Sequence, residues 1–390
     1  MAKSGRKTGS AAPTAVKALA KSAPRVKPVA AAKAKPKVAE VAIEAPAPAD
    51  VNGGGRPRLI DVAHLAGVSL GSASRALSSP DAVRAHTLRR VREAADRLGY
   101  VPDGAARALA LRRSMTVGAV LPTINNPIYS NFVQALQKTL GRQGYHLLIA
   151  AHEYDLKEEV SIVERLVQRG IDSIVLIGTD HPLAVYRRIE QARLPYVCAW
   201  SIDEARGHPC VGISNRRAMH RVVRHLLDLG HRDFAVISGE PEHNERARAR
   251  IDGVLDAMAL ADINLPAERI FYGPFSIEAG REGMRKTLAL SPRPTAVICC
   301  TDILAAGALS EARAQNIALP GELSISGFDD IEFVSLLEPP LTTLQVRTDE
   351  IGRMAGEYVL AGLRGEITTT PIEIDTRLIV RASTGAARKR

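Results

Sequence analysis

The stretch IDVAHLAGVSLGSASRAL, residues 60–77, decides how the front of this chain is read. Apolar positions recur at helical spacing on both sides of Gly67-Val68-Ser69, which predicts one helix over Leu59 to Ala66 and a second over Ser69 to Leu77. Gly67 permits a tight turn, Val68 packs beneath it, and Ser69 is placed to cap the second helix. A third helix, about Ala85 to Leu98, carries Leu88, Val91, Ala95 and Leu98 on one face and stops at Gly99. Three short helices with a glycine turn between the first two form a helix-turn-helix unit. Arg58 and Arg84 stand where Ser or Thr would usually start the first and third helices, forgoing about 1 kcal/mol of capping each.

Charge is concentrated around this unit. Of the net +10, residues 1–55 hold ten Lys and Arg against Glu40, Glu44 and Asp50, and residues 56–114 hold eleven Arg against five acids. The remainder is slightly acidic, with 31 basic and 34 acidic side chains. A basic front on an ordinary body points to a polyanion partner, with nucleic acid the leading candidate. Residues 1–55 are Ala, Pro and Lys ending in three glycines, too poor in apolar surface to offset ordering entropy, so a disordered tail is predicted. Three readings of it stand: an arm for DNA phosphates, a solvated extension, and an organelle transit peptide, which the excess of Lys over Arg and the prolines oppose.

Several classes are excluded. No run of about 18 apolar residues and no apolar signal core is present, so neither membrane insertion nor secretion is indicated and a cytoplasmic location is expected. Cys198, Cys210, Cys299 and Cys300 lack ligand or disulfide spacing, and His220 and His225 fall on different helix faces, so no metal site is predicted. There is no Walker loop, G-x-S-x-G, H-E-x-x-H or strand followed by G-x-G-x-x-G, hence no enzyme and no cofactor. A transport binding protein would lack the helical front, whereas an architectural DNA protein driven by the tail would show little preference between sequences.

Beyond Met115, β-rich runs alternate with amphipathic segments. Strands are predicted at Thr116–Leu121, His146–Ala151, Ser173–Ile177, Tyr196–Ala199, Phe234–Ser238, Ala296–Cys300 and Ser324–Phe328. Helices are predicted at Phe132–Arg142, Val160–Arg169, Ala218–Leu229 and Ile303–Gln315. This alternation means an α/β fold with two parallel sheets, whose ligands sit at the carboxyl ends of strands.

IDVAHLAGVS, LGYVPDGAARALA, INNP after the first body strand and ISGFDD near the end together resemble the lactose-repressor (LacI/GalR) family of bacterial transcription regulators, from about Leu59 to Ser383. The tail over 1–55 lies outside the resemblance and is unusual for that family; the resemblance implies a helix-turn-helix headpiece over 56–102 and a hinge helix over 103–114. The residues themselves give a basic end over 386–390, and the resemblance further implies a body over 115–385 of two periplasmic-binding-protein-like subdomains and a homodimer on a pseudo-palindromic operator in double-stranded DNA. It places the protein in the bacterial cytoplasm, nucleoid-associated when bound. No leucine heptads follow the body, so no tetramerising coiled coil is expected.

In the headpiece the second helix should enter the major groove with Leu70, Gly71 and Arg75 on base edges. Arg75 can fork to guanine O6 and N7, Leu70 offers apolar contact, and Gly71 reads nothing with a side chain, a departure from the family pattern. Ser69, Ser72, Ser74 and Arg84 are expected on phosphates. Leu109 matches the family's minor-groove wedge, with packing against Leu111 or the body as the alternative.

In the body the resemblance places a small-molecule effector, a sugar or sugar acid, near Asn125, Tyr129, Phe132, Trp200, Arg250 and Asp302. A carboxylate would accept paired hydroxyls, an arginine would fork to oxygens, and an indole would offer a flat face. The alternatives are core filling for Trp200, Tyr129 and Phe132 and a structural ion pair for Arg250 and Asp302. Asp329-Asp330 reads as a crossover turn rather than a ligand site. Leu109→Ala is expected to weaken operator binding strongly in titrations while leaving random-duplex binding nearly unchanged; equal losses on both would refute the wedge.

Overall fold

The computed structural model describes residues 56–102, 113–202, 207–366 and 370–388; the tail and most of the expected hinge, with Leu109, lie outside them. Helices α1 (Leu59–Ala66), α2 (Leu70–Ser78) and α3 (Ala85–Leu98) match the sequence reading, with Ser69 as cap of α2 rather than its first turn. They close over a small core of Val62, Ala63, Ala66, Ala73, Ala76, Val91, Ala94 and Ala95. Such side chains are short, so the three helices approach closely.

The body holds two six-stranded sheets. The first lobe starts with β1 (Thr116–Leu121), α4 (Ile128–Gly141), β2 (His146–Ala151), α5 (Leu156–Gln168), β3 (Ser173–Ile177), α6 (Leu183–Gln191), β4 (Tyr196–Ser201) and β5 (Cys210–Ile213). The second runs through α7 (Asn215–Asp228), β6 (Phe234–Gly239), α8 (Glu245–Ala259), β7 (Ile270–Gly273), α9 (Ile277–Leu288), β8 (Ala296–Cys299), α10 (Asp302–Ala314), β9 (Ser324–Asp329) and β10 (Thr342–Val346). Helix α11 (Thr348–Leu363) returns to pack on α4 and the first sheet, and β11 (Ile372–Glu373) and β12 (Thr376–Ile379) finish one sheet each. The orders are β11-β5-β4-β3-β1-β2 and β12-β10-β9-β8-β6-β7, parallel except for β12 against β10.

The chain therefore passes between lobes at 213–215, 346–348 and 373–376. Strands β5, β7, β10, β11 and β12 add to those expected. They are short or lie toward sheet edges, where alternation is weak. Among the described residues no helix is long and apolar enough to cross a membrane, and no group of His, Cys, Asp and Glu could hold a metal ion.

Helix pairs in the body meet at glycine. A Cβ on Gly307 of α10 would lie 1.9 Å from the Ile277 carbonyl oxygen, and one on Gly280 of α9 would lie 2.1 Å from that of Leu304. Backbone sits against backbone there. Gly307→Ala should cost about 1–3 kcal/mol by overpacking in urea unfolding. Gly141→Ala, whose Cβ meets nothing within 4 Å, should be neutral or stabilising by up to about 1 kcal/mol; equal effects would contradict this account.

Candidate DNA interface and inter-lobe cleft

The headpiece turn is built as its sequence requires. Gly67 ends α1 at φ 60°, ψ 44°, and its carbonyl accepts from Arg90 Nη2 at 3.2 Å, fastening the turn to α3. Ser69 caps α2 by accepting from the Ser72 amide at 3.2 Å, and the two hydroxyls lie 2.9 Å apart. Arg58 itself caps nothing, but its amide donates to the Asp61 carboxylate at 2.8 Å, so half a capping box supports α1; Arg84 makes no side-chain cap at α3.

Leu70, Gly71 and Arg75 are exposed on one side of α2, Leu70 to 49%. A residue with that exposure on a first helical turn is not serving the core. Arg75 Nε donates to the Gly71 carbonyl at 3.2 Å, lying along its own helix, and a Cβ on Gly71 would meet nothing within 4 Å. Ser69 and Arg84 are exposed, Ser72 and Ser74 half-buried. Arg56, Arg58, Arg90, Arg92 and Arg97 are exposed as well, so positive charge covers the unit.

A second site lies between the lobes, where the carboxyl ends of both sheets supply side chains to one cavity of about 30 Å³. Asn126, Tyr129, Tyr154 and Trp200 come from the first lobe; Ser238, Asn244, Arg246, Arg250, Phe275, Cys300, Thr301 and Asp329 come from the second. Trp200 sits at φ 73° and Asp329 at φ 122°, both in the left-handed half of backbone space that side chains avoid. Tyr129 and Phe132 meet the Trp200 ring edge-on, at 5.0 and 4.6 Å between centroids.

Among the described residues, Trp200 Nε1, Ser238 Oγ and Asp329 Oδ1 are buried here without a hydrogen-bond partner. Three orphaned polar atoms in one cavity are what a polar ligand would satisfy. Arg250 is well tied: Nε donates to Asn215 Oδ1 at 2.8 Å, Nη1 to the Cys300 carbonyl at 2.7 Å, and the guanidinium lies 3.9 Å over the Phe328 ring. Its Nη2 is 3.6 Å from Asp329 Oδ1, too long to offset that carboxyl's burial. Burial pushes the Cys300 thiol up to about 11, so it is a thiol and not a nucleophile.

Of the residues expected in this site, Tyr129, Trp200 and Arg250 line the cavity and Asn125, Phe132 and Asp302 do not. Asn125 is exposed and its neighbour Asn126 faces inward; Phe132 is fully buried in the first-lobe core. Asp302 is a structural carboxylate whose Oδ1 accepts from Thr343 Oγ1 at 2.6 Å and whose Oδ2 accepts from the Ile331 amide at 2.9 Å. Among the described residues it pairs with no arginine, and Gly327 leaves room for it: a Cβ there would lie 2.3 Å from Oδ1. Asp329, read as a crossover turn, faces the cavity, whereas Asp330 bonds to Arg381 and Gln345. Tyr154, Arg246, Phe275 and Ser238 escaped the sequence reading, although each stands at or just beyond a strand's carboxyl end or at the start of the following helix.

Relatives fit both halves. Residues 58–103 match the profile of bacterial regulatory proteins of the lacI family, and residues 223–384 match a periplasmic binding protein-like domain. The HTH-type transcriptional repressor CytR of Escherichia coli (strain K12) is 33% identical over 327 residues, spanning 84% of this chain and 96% of that one. The chain belongs to the lacI family of bacterial regulatory proteins. As a LacI-family member it is a DNA-binding transcriptional regulator and not an enzyme. The regulator GntR of Pseudomonas aeruginosa is 32% identical, over 85% of this chain and 96% of that protein.

Among solved structures, a LacI-family regulator from Silicibacter pomeroyi superposes with a TM-score of 0.77 at 26% identity, over 85% of this chain and all (100%) of that one. The lac repressor dimer bound to operator and the anti-inducer ONPF shares the fold, with a TM-score of 0.76 at 24% identity, over 85% of this chain and 100% of that one.

The cleft of this LacI-family chain carries a pH signature. Burial pushes the Asp329 carboxyl up to about 8, Arg250 opposing and Asp302 adding to the shift. An acid raised above its unfolded value of about 3.9 keeps a proton in the native state that the unfolded chain has lost, so stability falls as pH rises through that interval. Burial likewise lifts Asp302 to about 6, which adds to the lower part of the fall. Asp329→Asn should therefore flatten the decline in urea midpoint between about pH 6 and 8; a variant as steep as the parent would contradict the assignment.

Proposed function

We propose that this chain is a homodimeric repressor that binds a pseudo-palindromic operator and is controlled by a sugar or sugar acid held between its lobes. The observation that carries the effector half is the set of orphaned atoms on Trp200, Ser238 and Asp329, gathered in one cavity beside Arg246 and Arg250. An indole face and an N–H, a hydroxyl, a hydrogen-bond-hungry carboxyl and two guanidinium groups suit a polyhydroxylated ring or chain with an acidic end. Tyr129, Asn126, Asn244 and Thr301 add polar positions around them. A transcriptional regulator of similar fold, CelR, was solved as its cellobiose complex, at 27% identity and a TM-score of 0.64, over 84% of this chain and 100% of that one.

Homodimer formation is supported by apolar side chains exposed at two of the sheet edges. Strand β2 leaves Leu148 and Ile149 exposed, and Tyr272 on β7 and Ile277 at the start of α9 are exposed on the other lobe. Uncovered apolar side chains at sheet edges mark a protein interface. For the DNA half, the exposed α2 face and the arginines around it support a major-groove reader, with Leu70 and Arg75 on base edges and Ser69, Ser72, Ser74 and Arg84 on phosphates.

The cavity of about 30 Å³ is far below the roughly 300 Å³ at which ligand pockets start, so an effector enters with the lobes apart. A ligand that favours one lobe angle shifts the population of that angle, and with it the spacing of the two chain segments that lead into the headpieces.

A thermal-shift screen of sugars, aldonates and related acids tests this reading. A true effector at about a hundred times its dissociation constant adds roughly 2.7 kcal/mol of stability, and the shift should be lost in Asp329→Asn and reduced in Ser238→Ala. The same compound should change affinity for a duplex selected from random sequence. No selected sequence, or no compound that shifts both stability and DNA affinity, would overturn it.

A further inference from the structure

The first turn of α8 reaches across the cleft. Glu245 Oε1 accepts from the Thr179 amide at 2.9 Å and from Ser201 Oγ at 2.7 Å, both in the first lobe. Arg246 Nη1 donates to the Ile177 carbonyl at 2.9 Å, again in the first lobe, and lies 3.4 Å from Glu245 Oε1. Two residues on, Arg248 pairs with Asp180 of the first lobe while its Nη1 donates to the Pro241 carbonyl at 2.7 Å in its own lobe. Burial would raise the Glu245 carboxyl, but Arg246, Ser201 and the Thr179 amide hold it below the ordinary glutamate range, so it is charged and engaged.

The local chain is shaped for this contact. Asn244 caps α8 by accepting from the Ala247 amide at 3.3 Å, fixing where its first turn points. Gly178, at φ 93°, faces it: a Cβ there would lie 2.0 Å from Arg246 Nη1 and 2.5 Å from Glu245 Oε1. At the cleft mouth Tyr154 of the first lobe stacks on Phe275 of the second, 5.7 Å between centroids and 21° between planes.

We propose that Glu245, Arg246 and Arg248 form a built-in latch that holds the two lobes closed with no ligand bound. Their bonds run directly from one lobe to the other, Glu245 to Thr179 and Ser201, Arg246 to Ile177 and Arg248 to Asp180. The latched cavity is too small for a sugar, so effector and latch compete for the same cleft. The apparent affinity of any effector is then reduced by the fraction of molecules that are unlatched. Latch strength sets the threshold concentration at which the regulator responds.

The test needs no effector, so its outcome is separate from that of the ligand assignment. Trp200 is the chain's one tryptophan, is 2% exposed and lines the cleft, so its fluorescence reports opening. In acrylamide quenching of the full-length protein, Asp180→Asn and Glu245→Gln, both isosteric, and Arg248→Ala should each raise the Stern–Volmer constant about threefold or more, the size of a several-fold gain in open molecules. Arg248→Lys should fall between Arg248→Ala and the parent. Small-angle scattering should give a larger radius of gyration for the same variants, with urea unfolding still cooperative. Folded isosteric variants with parental quenching and radius would overturn the latch, whether or not Arg248→Ala folds.

Discussion

A guanidinium buried where two lobes meet must find a partner in every direction, and the body is arranged around how Arg250 finds them. Its Nε reaches Asn215, the first residue after a chain crossing, and Asn215 in turn donates to the Trp200 carbonyl at 3.1 Å at the end of a first-lobe strand. Its Nη1 donates to the Cys300 carbonyl at the end of a second-lobe strand, its Nη2 stops 3.6 Å short of Asp329 Oδ1, and Phe328 covers its face. Removing a buried charge's partners costs several kcal/mol, so crossing, strand ends and cleft are held in one register. The orphaned atoms beside it persist because the same framework fixes Trp200 and Asp329 in backbone conformations they would not choose alone.

The headpiece obeys a different economy. Its core is Val and Ala, with Leu side chains only at its margins. Little apolar area is buried per helix, which leaves the glycine turn, the Ser69 cap and the Arg90 contact with a large share of the work of fixing geometry. The exposed face of α2 is correspondingly free of structural duty. Headpiece and body thus differ in kind: one is small and set by local turn chemistry, the other is set by packing and buried polar bonds.

The headpiece was legible because its signals are local. Glycine at an αL turn and serine at a cap act over three or four residues, and Leu59–Ala66 and Ala85–Leu98 appear with the predicted bounds. Central strands such as Thr116–Leu121 and Ser173–Ile177 were equally clear, being short, mostly apolar runs with several β-branched residues, buried on both faces. Edge pieces such as Ile372–Glu373 carry too few residues to show any period. The cleft was legible only in part. Trp200, Tyr129 and Arg250 line the cavity where the reading placed them, but Asp329 faces it in place of Asp302, whose oxygens are taken by Thr343 and the Ile331 amide, since where a carboxylate turns depends on which donors face it. Asn126 rather than Asn125 faces inward for a similar reason: one residue in a turn reverses direction.

From the order of residues alone came the helix-turn-helix, the alternation that makes two parallel sheets, the basic front and the family to which these belong. All of these follow from periods and motifs a few residues long, whose physics is complete within one helix, strand or turn. Folding in three dimensions decided which polar atoms were left without partners, which glycines became points of helix contact, and that the first turn of α8 grips the opposite lobe. Those outcomes join residues far apart in the chain, such as Glu245 with Thr179 and Asp302 with Thr343. The free energy of such pairs exists only once the lobes stand against one another.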